Sequence, residues 1–146
     1  GKLFAAGRAG ERFAVRNSGA TAVSEGGGSN GCEYMTGGTA VILGAIGDNF
    51  AAGMTGGMAF VYDADGLFES HLNPDSVLWQ RVTGRHWHGV LHTLIEEHRH
   101  ETGSAFAAEL LTHWEGELGW FWQVVPKEMV SRLPHPLYDE PPAVRA

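Results

Sequence analysis

The sequence predicts a mainly-β protein, a parallel β-helix of 18–19-residue coils followed by a two-helix appendage. Three observations carry that reading. Glycine recurs with a fixed period, each period contains one short apolar run, and the pattern stops near residue 66. Sixteen of the 21 glycines lie in residues 1–66, whereas all eight histidines, five tryptophans and six prolines lie beyond. The whole is 146 residues, 43% hydrophobic and 18% charged, as expected of one globular domain with a sizeable core.

The period is visible when Thr36–Leu43 is set against Thr55–Tyr62, an offset of 19. Continued in both directions it yields four glycine pairs: Gly1 and Gly10, Gly19 and Gly28, Gly38 and Gly47, Gly57 and Gly66. Members of a pair stand nine residues apart, and pairs recur every 18–19. Such a unit is too short for a two-helix repeat and too rich in glycine for a helix. The runs Ala20–Val23, Ala40–Leu43 and Ala59–Tyr62 read as strands, and the eight glycines as turn residues. Stacking would align Val23, Ile42 and Val61 in one ladder, and Asn30 with Asn49 in a polar one. Because Gly1 already falls inside the pattern, further coils are expected upstream, and the first coil presents an edge able to pair with a second copy.

Beyond the repeat, Asn73-Pro74-Asp75 reads as a turn. Residues 86–101 read as an amphipathic helix with Trp87, Val90, Leu91, Leu94 and Ile95 on one stripe. Ser104 is placed to cap a second helix running to Glu117, closed by Gly119. Residues 120–125 read as extended up to Pro126. The expected division is a β-helix over 1–72, a helical appendage over 73–130 that packs on the end of the last coil, and a disordered tail over 131–146.

Charge and composition exclude several functions. Ten basic against seventeen acidic side chains give −7, which argues against a nucleic-acid or polybasic membrane surface. The uncharged stretches 34–47 and 49–62 are too short to span a bilayer, and no signal peptide is evident. A lone cysteine, Cys32, excludes an internal disulfide and fits a reducing compartment such as the cytoplasm.

Each candidate site has a plainer explanation. Gly26-Gly27-Gly28-Ser29-Asn30-Gly31 matches G-x-G-x-x-G, but the following residues lead into the next repeat and not into a helix. His88, His92, Glu96 and His100 are spaced four apart on one helix face, where an i, i+4 pair can chelate Zn²⁺; a solvated face is the simpler reading and a metal module the alternative. Cys32 takes the place held by Phe13 and Ala51 in neighbouring coils, which suggests a packed residue and not a nucleophile. Asp63 with Asp65, and Glu96 with Glu97, read as solvated acids. An acyltransferase on a left-handed β-helix would need aliphatic residues every six positions, whereas glycine here follows nine and nineteen. No catalytic, cofactor-binding or metal-ligating set is expected.

The strings Gly10–Ala20, Gly31–Gly38 and Asn49–Gly57, continued by Ala59–Gly66 and Asn73-Pro74, closely resemble the C-terminal GXGXG-repeat domain of the glutamate synthase large subunit. A looser glycine-repeat likeness links them to a subunit of formylmethanofuran dehydrogenase. The closer resemblance implies a right-handed parallel β-helix acting as a non-catalytic scaffold, packed against other domains of the same large subunit. It implies a parent enzyme that makes glutamate from glutamine and 2-oxoglutarate, with FMN, an iron–sulfur cluster and electrons from NADPH, NADH or ferredoxin. Those cofactors would belong to other domains, as would the amidotransferase cysteine, so Cys32 is not that nucleophile. A stand-alone β-helix subunit of another oxidoreductase is the alternative.

Overall fold

The computed structural model describes residues 1–7, 10, 13–133 and 135–137. Its centre is one six-stranded sheet. Four strands come from the repeat: β1 (Lys2–Ala5), β2 (Ser18–Ser24), β3 (Thr36–Ile42) and β4 (Gly56–Tyr62). They pair in sequence order and in parallel. Two more strands, β5 (Val77–Arg81) and β6 (Phe121–Pro126), join antiparallel, giving the order β1-β2-β3-β4-β6-β5. Among the described residues the α-helices are α1 (Phe68–His71), α2 (Arg85–Thr102), α3 (Ala105–Thr112) and α4 (Trp114–Glu117).

This overturns the expectation of a mainly-β right-handed parallel β-helix with two appended helices. The fold is mixed α/β, built on a sheet that is part parallel and part antiparallel. The reason lies in the returns between strands. Asn30, Cys32 and Tyr34 all have positive φ, as do Asn49, Ala51 and Gly53. Turns close over them, Met35 N–H donating to Cys32 O and Met54 N–H to Ala51 O, each 3.2 Å. Left-handed residues cannot extend into strands, so each repeat supplies one strand and a compact return.

Stacking of the repeats is nonetheless continuous through those returns. Cys32 N–H donates to Phe13 O, Tyr34 N–H to Ala52 O, and Asn30 N–H to Asp48 O, at 2.7–2.8 Å. The strand register differs from the expected ladder. Val23 pairs with Val41 and Val41 with Phe60, whereas Ile42 lies between Ser24 and Val61. Bulges between Ser18 and Thr21, and between Thr36 and Thr39, shift the offset by one within each strand. A constant offset of 19 could not reveal them.

Alternation along the strands splits the interior into two layers. Val23, Val41, Phe60, Tyr62, Phe121 and Val125 face α2 and α3, meeting Trp87, Leu91, Ile95, Ala107 and Leu110. Ala40, Ile42, Ala59, Val61 and Val124 face the returns, meeting Cys32, Met35, Phe50, Ala51 and Met54. Phe50, Phe60, Phe68 and Phe121 are fully buried, each contributing about 1.5–3 kcal/mol by area. Helices α2 and α3 therefore lie across one face of the sheet, not over the end of the stack as expected. The end beyond β4 is closed by β6 and β5.

Helix α2 matches the expected span within a residue at each end, and its stripe is the buried one. The second helix is interrupted: α3 stops at Thr112 and α4 follows after His113. Ser104 caps α3, its hydroxyl accepting from Ala107 N–H at 3.0 Å. Residues 134 and 138–146 of the expected tail lie outside the described residues. Before them, Lys127–Arg132 form a 3₁₀ helix, Trp87 Nε1 donates to Pro136 O at 2.7 Å, and Gln80 Nε2 donates to Leu137 O at 3.0 Å.

Gly57 and Gly66 share a left-handed φ, +81° and +74°. A Cβ on Gly57 would stand 2.7 Å from Gly38 O, whereas one on Gly66 would meet nothing within 4 Å. Gly66→Ala should therefore cost about 1–2 kcal/mol for the backbone alone, and Gly57→Ala clearly more. Urea denaturation of the two variants measures the difference; equal midpoints would show that the stack relaxes around the added methyl.

Candidate functional site

Three polar or open features stand on this frame. The first is a column of amides along the returns. Asn49 Nδ2 donates to Asn30 Oδ1 at 3.2 Å, and Asn73 Nδ2 donates to Asn49 Oδ1 at 2.9 Å. The expected Asn30–Asn49 pair is thus present, and Asn73 extends it. Beside the column, His71 Nδ1 lies 2.7 Å from Asp48 Oδ1.

Of the repeat glycines, Gly10, Gly28 and Gly47 bond in series, Gly28 N–H to Gly10 O and Gly47 N–H to Gly28 O, both 3.2 Å. Gly38 and Gly57 form a second column, in which a Cβ on Gly38 would lie 2.3 Å from Ala20 O. Gly1, Gly19 and Gly66 have open space around them.

The second feature was not legible in the sequence. Glu25, just past β2, reaches under the helices. His98 on α2 is fully buried and its Nε2 lies 2.8 Å from Glu25 Oε2; the Ser104 hydroxyl donates to the same oxygen. Burial would raise the Glu25 carboxyl. The hydrogen bonds from Ser104 and His98, with the charge His98 can carry, outweigh that and hold it below its ordinary 4.5. Ser, His and Glu meet here, but not as a nucleophile relay. Ser104 donates to the carboxylate and not to the imidazole, so the Ser–His–acid order of such a relay is absent, and the serine oxygen is buried and taken up by the cap of α3. The group is a clasp between repeat and helices.

The third is a cleft of about 280 Å³ between β4, α1 and the start of α3, lined by Leu43, Ile46, Tyr62, Leu67, Phe68 and Phe106 among others. Two of its polar side chains, Asp63 and Tyr62, are committed. Asp63 Oδ1 accepts from Leu67 and Phe68 N–H at 3.1 and 3.2 Å, and its Oδ2 accepts from Trp122 Nε1 at 3.0 Å. Asp63 is therefore a buried staple, not the solvated acid expected; Asp65 is exposed. Tyr62 donates to Glu117 Oε1 at 3.0 Å, and burial together with that carboxylate pushes its phenol up to about 12.

Of the remaining candidates, only His92 and Glu96 are seen to meet among the described residues, His92 Nδ1 lying 3.3 Å from Glu96 Oε1. Cys32 is buried at the turn, its left-handed backbone matching those of Ala14 and Ala51, so its neighbour in the first coil is Ala14 and not Phe13. Burial pushes its thiol up to about 12. After Gly26–Gly31 comes a turn and then β3, with no helix to receive a phosphate. His88 and His92 are half-buried, not fully solvated: His88 Nε2 lies 2.7 Å from Val82 O, and His92 packs edge-on to Trp114. Glu96 and His100 are exposed. Among the described residues no three His, Cys, Asp or Glu side chains gather as metal ligands, and no helix is long and apolar enough to cross a membrane.

The sequence pattern of the GXGXG motif family matches residues 1–127. The chain is 64% identical over 138 residues to the glutamate synthase [NADPH] large chain of Azospirillum brasilense, covering 94% of this chain and 9% of that one. It is 52% identical over 126 residues to the ferredoxin-dependent glutamate synthase 1 of Arabidopsis thaliana, covering 86% and 8%. With the glutamate synthase [NADH] of Schizosaccharomyces pombe the identity is 51% over 133 residues, covering 91% and 6%. The chain thus spans less than a tenth of the length of these relatives.

An iron–sulfur cluster and FMN, implied by the resemblance, do not fit the residues present. One buried cysteine cannot supply a cluster's thiolates, and the described residues lining the cleft include Asp63 and Asp65 but no Lys or Arg to meet a flavin phosphate.

Two outcomes follow from the clasp and the buried thiol. Glu25→Ala, which strips His98 and Ser104 of their shared acceptor, should cost on the order of 3 kcal/mol at neutral pH. Because the folded carboxyl is depressed, its contribution is complete above 4.5 and fades as pH falls through the lower folded value. The gap between wild type and Glu25→Gln, followed by denaturation from pH 7 to pH 3, should therefore narrow in acid. Cys32 should resist a thiol reagent until the chain is unfolded; rapid labelling of the native protein would contradict its burial.

Proposed function

Since the chain belongs to the GXGXG motif family, we propose that it is a non-catalytic structural domain of a glutamate synthase large subunit. The observation that supports this best is the 64% identity across 94% of the chain to a protein of which it spans only 9%. Physical character agrees: backbone-to-backbone stacking gives stiff faces, and Glu25, Ser104, Asp63 and Tyr62 are held in hydrogen bonds within the domain. In this reading residues 1–72 supply the stacked part and 73–130 cover it, and the repeat glycines hold the turns. The partners are other domains of the same subunit, in the cytoplasm, with FMN, the iron–sulfur cluster and the reductant site outside this segment. The parent reaction is reductive amination of 2-oxoglutarate with glutamine-derived ammonia.

Outer strand β1 supports the same reading. Among the described residues it pairs with β2 on one side only, and Leu3 is 58% exposed. Such an edge takes up another strand readily.

The test uses a full-length large subunit. Gly57→Val should abolish soluble assembly or uncouple glutamine hydrolysis from glutamate formation, whereas Gly66→Ala should leave both close to wild type. Wild-type coupled activity in the Gly57→Val subunit would count against a scaffold role.

A further inference from the structure

The cleft beside α1 has a shape and rim that the scaffold reading does not use. Of the exposed large apolar side chains, Leu67 (54% exposed) and Phe106 (39%) both line it. Phe106 packs edge-on to Tyr62 at 5.9 Å. Leu67 and Phe106, two exposed apolar side chains on one cleft, form a patch rather than scattered exposure.

The volume, about 280 Å³, lies at the low end for a small-molecule site. Inside the cleft the polar side chains are already engaged, since Asp63 accepts three hydrogen bonds, Tyr62 donates to Glu117 and His71 sits on Asp48, which leaves the Asp65 carboxylate for a polar contact. An apolar side chain would find a floor of Leu43, Ile46 and Phe68. Asp65 lines the cleft, Asp48 stands behind His71, and no Lys or Arg is among the described lining residues.

We infer that this cleft docks a segment of the large subunit outside these 146 residues, with an aliphatic or aromatic side chain in the cleft and an adjacent Lys or Arg over Asp65. Charge complementarity selects the cation, and the spent polar groups select the apolar anchor. The inference rests on the proposed membership in a large subunit.

The experiment uses a full-length large subunit carrying Leu67→Cys, pulsed with N-ethylmaleimide and read by peptide mass spectrometry at residue 67. Labelling should be at least about tenfold slower than in the same chain unfolded in urea, since a docked segment must open first. Adding Asp65→Lys should restore fast labelling. Where the cation is a lysine, zero-length carbodiimide coupling should join Asp65 to it at a site next to an apolar residue elsewhere in the same chain, and Asp65→Asn should abolish that product. Fast labelling without the second substitution would overturn the inference, as would a cross-link from Asp65 to a second copy of this segment. Protection indifferent to Asp65→Lys would overturn it too. Failure of the scaffold reading has a different signature: a Gly57→Val subunit with intact coupled activity, whatever the labelling at residue 67.

Discussion

Repeat lies on repeat with backbone touching backbone. A Cβ on Gly56 would come within 2.0 Å of Thr36 O, on Gly44 within 2.4 Å of Glu25 O, and on Gly47 within 2.5 Å of Ser29 N. No side chain larger than hydrogen fits at those points without moving a neighbouring chain. The spacing in turn aligns the strands, brings the returns within hydrogen-bond reach, and sorts alternate side chains into two buried layers. Hydrogen bonds such as Tyr34 N–H to Ala52 O and Thr55 N–H to Met35 O then satisfy a backbone that carries little regular structure.

A stack of this kind has one exposed apolar face, and the second half of the chain covers it. Helix α2 brings Leu91 and Ile95 to Val41 and Phe60, and β6 takes up the free edge of β4. Glu25 fastens the two halves by a charged acceptor shared between α2 and the cap of α3. Its position matters because Glu25 N–H is itself held by Gly7 O at 2.9 Å, so the clasp is anchored in the stack.

Local signals in the sequence translated well and long-range ones poorly. The glycine period located β2, β3 and β4; Ser104 and the apolar stripe located α2 and the start of α3. Likeness of the strings around Gly37-Gly38 and Gly56-Gly57 identified the family. What failed was the architecture. Cys32, Tyr34 and Ala51 are not residues one assigns to left-handed backbone, so the returns looked capable of being strands. The segment Val77–Arg81 sits far from its partner Phe121–Pro126 and carries no repeat to flag it. Glu25 and His98 are separated by 73 residues and appear as an ordinary acid and a surface-helix histidine. The cleft depends on Leu67 and Phe106 meeting across the fold, which no local pattern encodes.

The amide column has a property beyond its hydrogen bonds. Asn73 Oδ1 accepts from Asp75 N–H at 3.1 Å, and a backbone N–H can only donate. That fixes which end of the Asn73 amide is oxygen, so Asn73 must present its NH₂ to Asn49, and Asn49 in turn to Asn30. One turn at the far end thereby sets the sense of every amide before it, and the small dipoles add head to tail. The row is vectorial, with unlike ends. At the Asn30 end it offers a proton, so a neighbour continuing the row there must bring a lone pair; a group that also offers a proton would have to reverse three amides and orphan a backbone donor.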